Sequence, residues 1–81
     1  MTQLRRAAVS IPSNIAEGRG RGTKKDFAHF LMQARGYLYE VETQIELANE
    51  LHYINAADVT PLLKACDELS RVLNGLINSI T

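Results

Sequence analysis

Eighty-one residues, 46% hydrophobic and 22% charged, describe one small domain with too much apolar content for disorder and too little length to bury more than about 60% of its unfolded surface. A single cysteine, Cys66, excludes an internal disulfide, and no His/Cys array has zinc spacing, so association with other copies is the expected source of extra stability. The zero net charge conceals a polarity: residues 1–25 carry Arg5, Arg6, Arg19, Arg21, Lys24 and Lys25 against Glu17 alone, a net +5, while residues 26–81 carry Arg35, Lys64 and Arg71 against eight carboxylates, a net −5. No apolar run approaches the length of a membrane span and no leader pattern opens the chain, which implies a cytoplasmic protein with no membrane contact.

Apolar residues recur throughout at three and four positions and nowhere alternate by two, so every element is expected to be helical. The first, about 2–17, has Leu4, Ala8, Ile11 and Ile15 on one stripe. Pro12 interrupts its ladder, which predicts a break or kink there, with Ser10 and Ser13 capping a restarted turn and Gly18 ending it in the left-handed conformation. Next comes IAEGRGRGTKK, Ile15–Lys25, with three glycines and four basic residues in eleven positions.

The second helix is expected over 24–51, opened by Thr23 with Asp26 in a capping-box-like pair and closed where the apolar spacing lapses after Asn49. Its seam is Phe27, Leu31, Ala34, Leu38, Val41, Ile45 and Ala48, widened by Phe30, Tyr37 and Leu51. The third, about 59–79, has the seam Leu62, Cys66, Leu69, Leu73, Leu76 and Ile80, flanked by Leu63, Val72 and Ile77. Pro61 favours a start capped by Asp58 or Thr60, because a start at Asn55 would place a proline inside the helix. Gly36 and Gly75, inside helices, suggest close helix approach. Three such helices form an incomplete bundle whose remaining apolar face needs a cover.

The stretch LRRAAVSIPSNIAEGRGRGTKKDFAHFLMQARGYLYEVETQIELANEL, Leu4–Leu51, together with LNGLINSI at Leu73–Ile80, resembles the four-helix-bundle proteins encoded in intervening sequences of bacterial 23S ribosomal RNA genes, a family that includes the accessory variability proteins of diversity-generating retroelements. Its most specific part is SIPSNIAEG, Ser10–Gly18. The resemblance implies an all-α, antiparallel up-and-down bundle assembled as a homopentamer. For the accessory variability members it also implies a basic surface, nucleic-acid binding and a reverse transcriptase partner; the intervening-sequence members have no established activity. Family members have a further amphipathic helix ahead of the segment that begins here at Met1, so this single domain, 1–81, looks like a member lacking its first helix.

The glycine turn precedes the amino terminus of the longest helix, where unpaired amides and the helix dipole favour anions. With Arg5, Arg6, Arg19, Arg21, Lys24 and Lys25 it makes a candidate nucleic-acid site, RNA or DNA, through backbone contacts only, since no base-reading module is visible. The alternative is a plain turn whose cations are solvated or meet a neighbour's acidic stripe. Glu42, Glu46 and Glu50 form such a stripe and lack the paired Glu-x-x-His motifs of a di-iron site, so no metal is expected. His29 and His52 fall in no triad with Ser10, Ser13, Ser70 or Ser79, Cys66 reads as a core residue, and neither catalysis nor a cofactor is expected. Tyr37, Tyr39 and Tyr53 suit an interface better than base stacking. Asn14 and Glu17 are the polar residues that could link helices. The chain thus reads as a self-associating, non-enzymatic helical protein with a candidate nucleic-acid contact at its basic end; the competing reading is a scaffold whose open seam receives a partner helix.

Overall fold

The computed structural model describes residues 2–81 and consists of three helices, α1 (Thr2–Gly20), α2 (Lys24–Glu50) and α3 (Ala56–Ile80), with no strand among the described residues. α1 runs unbroken through Pro12. The expected break is absent, and Ser10 and Ser13 do not cap a restarted turn. Their hydroxyls instead donate to the carbonyls of Arg6 (2.7 Å) and Val9 (2.8 Å), and the Asn14 amide donates to the Ser10 carbonyl (2.7 Å). Polar side chains on both sides of the proline thus bond the helix's own carbonyls ahead of it. Burial of Ala7 and Ile11 against α2 keeps the helix continuous despite the missing amide.

Gly18 does not end α1 either. The left-handed glycine is Gly22, at φ +82, and Gly18 is a buried helical residue. A Cβ built on Gly18 would lie 2.7 Å from Phe30 Cβ and 3.2 Å from Phe27 Cδ1, so its bare backbone is what lets α1 cross this close to α2. At Gly36 and Gly75, where close approach was expected, an added Cβ would meet nothing within 4 Å.

α2 starts as its sequence predicts. Thr23 is extended (φ −119, ψ 149), its hydroxyl accepts from the Asp26 amide at 3.1 Å, and Asp26 places a carboxylate in the first turn. At the far end the amides of His52 and Tyr53 return to the carbonyls of Asn49 (3.0 Å) and Ala48 (2.8 Å). That is a Schellman closure, with His52 at φ 59 where glycine is usual. α3 begins at Ala56, earlier than the 59 expected, because Asn55 caps it: the side-chain oxygen accepts from the Ala57 amide at 3.1 Å. The early first turn brings Val59 into the core, and Pro61 is carried inside the helix after all.

α2 is the centre of the layer. α1 packs along one side and α3 along the other, their backbones making no approach to each other. The Cα trace fills a slab of 43 × 23 × 12 Å, one helix deep. Leu31, Leu38 and Leu73 are fully buried. Six of the seven α2 seam residues are buried; the exception is Phe27, which is half-buried, and Ala28 is buried beside it. On α1 the buried alanine is Ala7, and Ala8 is exposed. The larger departure is α3, whose packed row is Val59, Leu63, Cys66, Leu73, Ile77 and Ile80 with Leu69 at its edge. Leu62 and Leu76, expected in the seam, are 43% and 39% exposed, and Val72 is 58% exposed. A side-chain bond ties α3 to α2, Arg35 donating to Asn74 Oδ1 at 2.8 Å.

Candidate nucleic-acid interface

The basic residues divide by topology. Arg19, Arg21, Lys24 and Lys25 gather at the α1–α2 turn, all exposed, beside the first amides of α2. Arg5 and Arg6 lie on the same helix as Arg19 but at least thirteen residues before it, about 20 Å away at 1.5 Å per residue. They sit at the end where α2 finishes and α3 starts, the end that carries Glu46, Glu50 and Asp58. The six residues therefore do not form one surface.

Within the turn the four cations have different surroundings. The Arg21 guanidinium pairs with Glu17 (2.9 Å), donates to the same carboxylate oxygen through Nε (3.1 Å), and lies 5.2 Å from the centroid of the Phe30 ring. It ties the last turn of α1 to the face of α2. Arg19 and Lys24 border a shallow hollow with Gly18, Gly22, Thr23 and Phe27. Lys25 borders another, with Ala28, His29, Met32 and Ile80, where α3 ends beside the start of α2. Gly22 supplies the positive φ that reverses the chain between them. In this compact cationic corner Arg21 is paired with Glu17, while Arg19, Lys24 and Lys25 are exposed.

Other candidate groups are placed by the same packing. Glu42 is half-buried against α3, while Glu46 and Glu50 are exposed. No group of three or more His, Cys, Asp or Glu side chains with metal-binding geometry occurs among the described residues. Cys66 is buried, and loss of solvation, with the Glu42 carboxylate adding to it, raises its thiol above the ordinary 9.0. His29 shares a hydrogen bond with Gln33 (3.2 Å) and meets Phe30 edge-on. Asn14 bonds within its own helix, so it does not link helices as its sequence suggested. Tyr37, Tyr39 and Tyr53 are exposed, Tyr53 by 74%. No described helix is long and apolar enough to cross a membrane.

Three amphipathic helices in one layer and an exposed cationic turn define a small all-α protein. The chain matches the 23S rRNA-intervening sequence protein family over residues 1–75 and belongs to that family. A comparison with curated proteins gave no match.

Proposed function

We propose that this chain is a non-enzymatic, self-associating helical protein that contacts the phosphate backbone of nucleic acid, RNA foremost, through the cationic α1–α2 turn. The observation that carries the reading is the convergence of Arg19, Lys24 and Lys25, all exposed, on the amino terminus of a 27-residue helix. Amides and dipole there add to the side-chain charge. Arg21 is assigned to holding the turn, and Arg5 and Arg6, at the other end, are assigned no phosphate. Self-association multiplies the cationic corner, so that weak single contacts combine on one long ligand.

The test is fluorescence anisotropy with a structured fragment of 23S rRNA. Three phosphate contacts predict a loss of roughly 20- to 40-fold in affinity between 50 and 200 mM salt. Charge reversal at Arg19, Lys24 and Lys25 together is expected to abolish binding without changing helicity, whereas Arg5→Glu with Arg6→Glu leaves it nearly unchanged. A salt-insensitive signal, or binding that survives the triple reversal, refutes the reading. The exposed Leu62, Val72 and Leu76 favour a second reading, a scaffold that receives another polypeptide's helix with no nucleic acid. The ratio of absorbance at 260 and 280 nm of the purified protein separates the two, helped by the absence of tryptophan.

A further inference from the structure

The first turn of α2 separates two hollows. One lies toward α1, bordered by Arg19 and Lys24. The other, of about 450 Å³, lies where α3 ends and is lined by Lys25, Ala28, His29, Met32, Ile80 and Thr81. A phosphate contact accounts for Lys25 but not for the apolar floor beside it, where Ala28 is buried, Ile80 is half-buried and Met32 lies open. Lys25, His29 and Met32 succeed one another at four and three residues, so a single stripe of α2 presents an ammonium group, an imidazole and a thioether in that order. The imidazole is exposed yet oriented by two contacts: it shares a hydrogen bond with Gln33 at 3.2 Å and meets the Phe30 ring at 75°, the centroids 5.6 Å apart. No acidic side chain borders the hollow among the described residues.

We propose that this hollow is the subsite for one unpaired base of the strand whose phosphates lie on Arg19, Lys24 and Lys25, the base stacking on His29 and covering Met32 and Ile80. This rests on the phosphate reading of the cationic turn and names the class of ligand: a single strand or a bulge, not a closed duplex. An unstacked base needs a π surface, an apolar floor and a cation for the phosphate it hangs from, and the hollow brings the three together. The path of the strand follows from the helix. Neighbouring residues of a helix point about 100° apart, so Lys24 and Lys25 lead a strand from the α1 side of α2 to its α3 side, and the base carried past Lys25 arrives at the hollow. In a duplex that base is held by its pair and its stack, and freeing it costs more than one exposed imidazole returns, so a duplex keeps only the phosphate contacts. Stacking accepts every base, in keeping with a chain that has no base-reading module.

Fluorescence anisotropy at one salt concentration tests this with three labelled ligands: an unstructured RNA strand, the same strand with abasic sugars, and a blunt RNA duplex. The unstructured strand is expected to bind roughly 5- to 30-fold more tightly than its abasic counterpart, the worth of one stacked base. His29→Ala should remove that advantage while leaving the affinities for the abasic strand and the duplex unchanged, and His29→Tyr, which keeps a ring, should retain it. His29 is exposed, so the helical circular dichroism of both variants should match that of the unaltered chain. The Met32 methyl resonance should move upfield under the ring of the base when the unstructured strand is added, and stay in place with the abasic one. Equal affinity for the unstructured and abasic strands overturns the subsite and leaves the phosphate contact standing. An equal loss for all three ligands in His29→Ala also overturns it, because the imidazole then acts on the fold or the local field and not on a base. Binding of none of the three, or binding that survives charge reversal at Arg19, Lys24 and Lys25, overturns the phosphate reading and the subsite with it.

Discussion

Gly18 is the position at which one methyl group most sharply tests the packing. Elsewhere inside a helix, glycine to alanine stabilises by roughly 1 kcal/mol, because alanine has less unfolded-state freedom to lose. At Gly18 the new Cβ would stand 2.7 Å from Phe30 Cβ, and ordinary contact needs about 0.7 Å more. Phe30 Cβ is fixed to the backbone and cannot swing aside, and Phe27 Cδ1 at 3.2 Å adds a second tight contact. α1 and α2 must separate locally, an overpacking cost of about 1–3 kcal/mol that exceeds the propensity gain. Gly18→Ala should therefore lose about 1–2 kcal/mol. Gly36→Ala, inside α2 with nothing within 4 Å, should gain about 1 kcal/mol. The assay is urea unfolding followed by circular dichroism at one protein concentration, since association would shift the apparent midpoint. With a slope near 1 kcal/mol/M the two variants should move the midpoint in opposite directions by about 1 M or more. If Gly18→Ala stabilises as Gly36→Ala does, the close crossing of α1 and α2 is wrong.

His52 holds a left-handed conformation at φ 59 that costs a side-chain-bearing residue roughly 1 kcal/mol, so His52→Gly should raise stability by up to that amount in the same assay; a loss would mean the imidazole has a role that its exposure conceals. For Cys66, burial and Glu42 hold the thiol protonated beyond its ordinary 9.0. Its contribution to stability is complete below about pH 9 and declines as pH rises toward the elevated folded value, because the unfolded chain ionises first. Reaction with a thiol reagent at pH 8 should accordingly be slow in the native protein and fast in urea; equal rates would place the sulfur at the surface.

The seam of α2 was legible because one helix buried on two sides leaves a broad, unambiguous stripe, and the Thr23 cap was legible because its chemistry is local. α3 was harder for a physical reason. Leu62 and Leu63 are adjacent, as are Leu76 and Ile77, so the sequence contains two interleaved rows of equal hydrophobicity, and periodicity alone does not say which one faces α2. In the fold the row facing inward is Val59, Cys66, Leu73 and Ile77, and the Asn55 cap starts the helix early enough to include Val59 in it. Pro61 misled the start of α3 as Pro12 misled α1. In both, packing along a long central helix outweighs one missing amide, and that sum over many contacts is invisible at the proline itself.

The glycines of the turn sort differently from how their spacing suggests. Gly18 is there for its missing side chain and Gly22 for its positive φ, and these are separate demands, one from the crossing of two helices and one from reversing the chain. Because the crossing keeps α1 helical as far as Gly20, Arg21 falls four residues after Glu17 and over Phe30, and becomes a tether. A run that looks like four equivalent cations is thus divided by the fold into one that fastens the turn and three that face outward. The up-and-down topology makes the second division, sending Arg5 and Arg6 to the acidic end. The net +5 of the first twenty-five residues is therefore not one patch. Any long anion gripped by the three outward cations is met by carboxylates at the opposite end of the same layer, which favours a ligand lying across the turn over one running along the helices.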